Sequence, residues 1–68
     1  MSVSVVLNGE PRDLVPGTTV VTLVAELERG PRGLAVAVNE EVVPRHEWPT
    51  TALRAGDRVE ILHAAQGG

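Results

Sequence analysis

The residues best suited to do chemistry are the last five, Ala64, Ala65, Gln66, Gly67 and Gly68, because the chain stops on two glycines. Glycine has no Cβ, so its main chain passes where a side chain would clash, and it loses the most freedom when held in place. An unsupported Gly-Gly end is expected to be mobile. Five extended residues reach roughly 17 Å from the last anchored one, enough to enter a deep cleft in another protein. The group offered there is the α-carboxylate of Gly68. It is ionised at neutral pH and is a poor acyl electrophile until one oxygen becomes a leaving group. Adenylation by ATP achieves this, with Mg²⁺ and cationic groups of a partner enzyme stabilising charge on the phosphates. A thiolate, persulfide or amine then meets an acyl carbon with no substituent in its way. A frayed terminus can end in the same two residues, and the glycines alone weigh the two readings evenly.

The rest of the chain offers no rival centre. His46 and His63 are the only histidines, and no further ligands stand at metal spacing, so each is expected at a surface or edge. Glu40 and Glu41 fit a solvated turn better than an acid/base pair. Ser2 and Ser4 lack a histidine to activate them, and the glycines do not follow a phosphate-loop pattern. There is no cysteine, which removes disulfides, thiolate metal sites and a nucleophilic thiol together. Any sulfur handled here must come from outside.

Composition narrows the partners. Nine acidic against six basic residues give a net charge of -3, with one Trp and no Phe or Tyr. Neither a basic track for phosphates nor aromatic platforms for bases are present, which argues against nucleic acid. A mildly acidic surface favours a basic partner, though most such surfaces only solvate. No long apolar run or cleavable leader opens the chain, so a cytoplasmic protein without membrane association is expected. Sixty-eight residues make one small domain, which buries only about 60% of its unfolded surface and has a modest stability margin.

Positioning the tail falls to a short series of elements. Val3, Val5 and Leu7 alternate with Ser4 and Val6 as a half-buried strand. Asn8-Gly9 is the favoured pair for a tight hairpin, here read as a turn and nothing more. Arg12 to Val15 is the expected return strand, stopped by Pro16-Gly17. From Thr18 to Thr22 the residue types favour a strand, but Val20, Leu23, Val24 and Leu27 fall on one helical stripe. A helix is chosen, capped by Thr18 or Thr19 and ended by Gly30-Pro31. Leu34 to Val38 reads as a central strand covered on both faces. Asn39, Glu40 and Glu41 form a turn, Val42-Val43 a short strand broken by Pro44, and Arg45 to Leu53 a loop with a helical turn in which Trp48 seals an edge of the core. Ala55-Gly56-Asp57 is a turn. Arg58 to His63 is the last strand, with Val59 and Ile61 on one face and Arg58, Glu60 and Leu62 on the other. One amphipathic helix among strands that do not alternate regularly with helices indicates an α+β domain, with the helix packed across a sheet of four to five strands. Residues 1–63 would form this domain and 64–68 a flexible tail.

With the elements placed, Asn8-Gly9, Asn39, Val42-Val43-Pro44-Arg45, Trp48, Leu53, Gly56-Asp57, Val59-Glu60-Ile61 and Gln66-Gly67-Gly68 together resemble the ThiS family of sulfur carrier proteins of thiamine biosynthesis. The likeness covers essentially the whole chain. No single piece is specific, but the ordered combination ending at Gly-Gly is. The resemblance implies the ubiquitin-like β-grasp fold, a mixed sheet with the first and last strands as central neighbours. It also implies a cycle in which a ThiF-type enzyme adenylates Gly68. A persulfide from a cysteine desulfurase or related donor then converts the acyl adenylate to a thiocarboxylate. A ThiG-type thiazole synthase takes the sulfur into the thiazole ring. On this reading the chain is a carrier rather than an enzyme, holds no cofactor of its own, is a monomer when free, and uses ATP and Mg²⁺ only through its activating partner. Gly67 gives steric access, Gln66, Ala65 and Ala64 line the tail inside the partner, and Val5, Leu7, Val59 and Ile61 hold the anchoring strands. Leu62 and Val43 are candidates for a docking surface, with burial in the core equally compatible. Ala65 stands where many relatives carry valine, a conservative departure.

Three other readings remain. The molybdopterin-synthase small subunit shares the fold and the Gly-Gly end, but usually in a longer chain. A ubiquitin-like modifier would join Gly68 to lysines of its targets, leaving isopeptide-linked species. A regulatory β-grasp module would bind through its sheet and keep its activity without the last two glycines.

Overall fold

The computed structural model describes residues 1–27 and 33–63. Strands β1 (Val3–Leu7) and β2 (Glu10–Leu14) are joined by Asn8 and Gly9. Their φ angles of 50° and 85° make the mirror-image turn whose twist matches that of the strands. With only two residues in the loop, Leu7 pairs with Glu10 and Val3 with Leu14. The return strand therefore starts two residues earlier than Arg12 and ends at Leu14. Val15 opens the next turn instead. Its carbonyl accepts the Thr18 N–H at 3.1 Å and the Thr18 hydroxyl at 2.6 Å, with Pro16 and Gly17 at the corner.

Helix α1 spans Val20–Leu27. The conflict between strand-like residue types and helical spacing is resolved by burial, because Val20, Leu23 and Val24 are all driven into the core and only a helix brings them to one side. Of the two candidate caps, Thr19 takes the role. Its hydroxyl accepts the Thr22 N–H at 3.4 Å and its carbonyl accepts the Leu23 N–H at 3.0 Å, while Thr18 serves the preceding turn. The expected stop at Gly30-Pro31 lies outside the described residues.

Strands β3 (Leu34–Val38) and β4 (Glu41–Val43) form a second hairpin through Asn39 and Glu40, both at positive φ. Glu41, expected in the turn, is the first residue of β4 and pairs with Val38. A 3₁₀ segment, Arg45–Thr50, follows and inserts Trp48 into the core. The indole N–H donates to the Val43 carbonyl at 2.9 Å, so the one polar atom of the ring is satisfied. The Arg45 guanidinium lies 5.6 Å from the ring centroid. The chain then passes the start of α1, where the Val20 N–H donates to the Thr51 carbonyl and the Leu53 N–H to the Thr18 carbonyl. It finally enters β5 (Arg58–His63).

The sheet order is β2-β1-β5-β3-β4. β1 and β5 run parallel, and the other neighbours are antiparallel. The last strand is thus the middle of the sheet. Sheet residues Val5, Leu7, Leu14, Val36, Val59 and Ile61 meet Val20, Leu23 and Val24 of the helix, with Trp48 and Leu53 closing the side. One expectation fails: β3 is an interior strand, but it is not covered on both faces. Val36 is buried while Ala35 is exposed. Among the described residues one helix covers one face, and the continuous apolar run of β3 owes its other side to small alanines, which cost little to leave in water.

Candidate functional site

Among the described residues the sheet is built around β5, the strand that precedes residues 64–68. Val59 is fully buried and Ile61 is 7% exposed, so this strand is held by the core from below. Sideways, β3 pairs with it over its full length, from Val38 opposite Val59 to Leu34 opposite His63. On the other side β1 reaches only its first half, pairing Val6 with Arg58 and Leu7 with Val59. The Val6 N–H donates to the Asp57 carbonyl and the Asn8 N–H to the Val59 carbonyl, both at 2.9 Å. Beyond that point the Asn8 side chain continues the contact. Its Oδ1 accepts the Ile61 N–H at 2.9 Å and its Nδ2 donates to the Ile61 carbonyl at 3.4 Å. Sequence reasoning missed this, because Asn8-Gly9 is fully explained as a turn; nothing local signals a partner 53 residues away.

The start of β5 is fixed by a second polar bracket. Asp57 accepts the Asn39 Nδ2 at 3.0 Å and the Arg54 main-chain N–H at 2.8 Å, and Asn39 Oδ1 accepts the Arg58 N–H at 2.9 Å. The Asn39 N–H also donates to the Arg58 carbonyl at 2.7 Å. Two loops distant in sequence are locked to the start of β5.

Among the described residues no element packs on the face of the sheet away from α1. On it Leu62 is 63% and Val42 76% exposed. The register places Ala35 opposite Leu62, and Ala37 between Glu60 and Val42. An ion pair of 3.0 Å between Arg58 and Glu40 borders this apolar strip. Leu62 and Val43 do not share a face. Val43 pairs with Val36 and packs, partly buried, against the core, so its neighbour Val42 is the β4 residue that joins Leu62 in solvent. Val42 could have been found by carrying the strand alternation one residue back from Val43.

The remaining sequence candidates are dispersed. The His46 side chain is 80% exposed and stands 3.6 Å from Glu47. The Ser4 hydroxyl donates to Asp13 at 2.8 Å. Among the described residues no three His, Asp or Glu side chains gather where they could hold one ion, and no helix is long and apolar enough to cross a membrane. Ala64, Ala65, Gln66, Gly67 and Gly68 lie outside the described residues.

A mixed five-stranded sheet with a parallel β1–β5 pair and one helix across a single face defines the ubiquitin-like β-grasp class. Within that class the ThiS family model matches residues 5–68, and the chain belongs to the ThiS family. It is 44% identical over 62 residues to the sulfur carrier protein ThiS of Thermus thermophilus, covering 91% of this chain and 95% of that protein. A thiazole synthase of Paramagnetospirillum magneticum is 38% identical over 63 residues, which make up 93% of this chain but 19% of that enzyme. The crystal structure of the thiamine biosynthesis protein ThiS from Geobacter metallireducens superposes with a TM-score of 0.80 at 28% identity, over 96% of this chain and 99% of that one.

Proposed function

We infer that the protein is a sulfur carrier of thiamine biosynthesis, a co-substrate of other enzymes rather than a catalyst. The observation that carries this reading is the family match, which runs through Gly67 and Gly68 on a chain folded as a β-grasp domain. A thiazole synthase that contains a stretch similar to nearly the whole of this chain supports a ThiG-type enzyme as the sulfur acceptor.

The cycle proposed for Gly68 follows from acyl chemistry. A ThiF-type enzyme binds ATP and Mg²⁺; a carboxylate oxygen of Gly68 attacks the α-phosphorus and pyrophosphate leaves. The terminal sulfur of a persulfide, supplied by a cysteine desulfurase or related donor, attacks the acyl carbon and AMP leaves with its bonding electrons. A second thiol cleaves the S–S bond and frees the thiocarboxylate, which donates its sulfur to the thiazole synthase. In this scheme residues 64–68 act as the tail. Gly67 admits the attacking group, and Gln66, Ala65 and Ala64 are gripped by the partner. Leu62, exposed at the end of the middle strand, is the docking contact; Val43 faces the core and serves the fold. A monomeric, cytoplasmic protein that holds no cofactor is part of the same reading.

Incubation with the activating enzyme, Mg-ATP and a sulfur donor is expected to raise the intact mass by about 16 Da, the exchange of one oxygen for sulfur. Deleting Gly68, or adding one alanine after it, should abolish that increase. The core lies between Val5 and Ile61, so the melting midpoint of either variant should stay within about 2 °C of the parent. A thiocarboxylate formed without Gly68, or isopeptide-linked targets in place of a thioacid, would overturn the mechanism.

A further inference from the structure

We propose that Asn8 is a positioning residue for loading of the tail: its side-chain amide stands in for the next peptide of β1 and fixes β5 at Ile61, the root from which the chain runs on to Gly68. Main-chain groups alternate sides along a strand, so those of Asp57, Val59 and Ile61 all face β1. The first two carbonyls receive the N–H groups of Val6 and Asn8. The third would need another β1 residue, but the chain has already turned away at Asn8, whose φ is 50°. The Asn8 amide fills the gap in both directions, accepting the Ile61 N–H at 2.9 Å and donating to the Ile61 carbonyl at 3.4 Å.

Few residue types can do this. The position demands a left-handed backbone, which Asn, Asp and Gly tolerate best. It also demands a donor and an acceptor on one short planar group, which of those three only Asn has. Without the bracket the β1 side of Ile61 becomes an open edge, and Ile61, Leu62 and His63 lose an anchor that a partner taking hold of Gly68 would otherwise find in place. Each additional residue that a partner must order on binding costs conformational entropy. The cost falls on capture of the tail, not on the chemistry that follows.

This rests on the carrier reading, and the experiment separates the two. Asn8→Gly keeps the turn and deletes the bracket. Asn8→Asp keeps the acceptor but sets a carboxylate against the Ile61 carbonyl. Adenylation kinetics with a ThiF-type enzyme are measured well below each melting midpoint, alongside amide hydrogen exchange at Ile61 and Leu23. For Asn8→Gly the KM for the carrier is expected to rise about fivefold with kcat within about twofold, while exchange at Ile61 accelerates about tenfold more than at Leu23. Asn8→Asp should fall between, with KM raised at least about twofold. An unchanged KM in folded Asn8→Gly, or in Asn8→Asp if the glycine variant does not fold, overturns the positioning role alone. Wild-type protein that accepts no adenylate overturns the carrier reading and the positioning role with it.

Discussion

Asp57 shows how much one side chain can organise. Its carboxylate joins the Arg54 main chain to Asn39, and Asn39 in turn holds the first residue of β5. Asp57→Ala removes two acceptors at once and should cost about 1–2 kcal/mol. In a domain of this size that lowers the melting midpoint by roughly 5–15 °C, readable by circular dichroism. Gly56-Asp57 was visible in the sequence as a turn, and that part was legible because turn chemistry is local. The bonds from Asp57 to Asn39 and from Asn8 to Ile61 were not. They span 18 and 53 residues, and nothing in either neighbourhood reports the other.

At the scale of elements, periodicity carried most of the information. The bounds of β3, Leu34–Val38, and of β5, Arg58–His63, are the ones the sequence pattern predicts, and the helical stripe prevails over the β-branched types of Thr18 to Thr22. The stripe wins because it buries three large side chains, each contributing more than the few tenths of a kcal/mol by which propensities differ. Leu23 is fully buried at the centre of that contact. Leu23→Ala should therefore cost about 2–5 kcal/mol, and a marked fall of the urea midpoint checks it. A shift below half a kcal/mol would mean that α1 is not what closes the core. The double coverage expected for β3 failed for a related reason: an unbroken apolar run shows that a strand tolerates burial, not how many layers lie above it.

At the scale of the molecule the decisive feature is that, among the described residues, the helix packs on one face of the sheet and Leu62 and Val42 stand exposed on the other. Leu62 and Val43 are both docking candidates by sequence, and the fold sends them to opposite sides. Leu62→Asp should leave stability within about 0.5 kcal/mol of the parent, since the side chain already stands largely in water. If the open face meets the activating enzyme, the same change should weaken binding about tenfold, measured by calorimetry. Val43→Asp should do the reverse and lower the melting midpoint, because it sets a carboxylate against the core beside Val36. Equal binding by wild type and Leu62→Asp would remove the open face from the docking surface.

The amino-acid order by itself determined that turns fall at Asn8-Gly9, Pro16-Gly17 and Gly56-Asp57, and that one stripe of the helix and one face of β5 are apolar, because each of these is written within a few neighbouring residues. Only the tertiary structure decided that this strand is the middle one, that its second half is held by the amide of Asn8, and that Val42 rather than Val43 accompanies Leu62 in solvent. These depend on which strands meet and in what register. That choice is made by burying one common core, to which residues at both ends of the chain contribute at once.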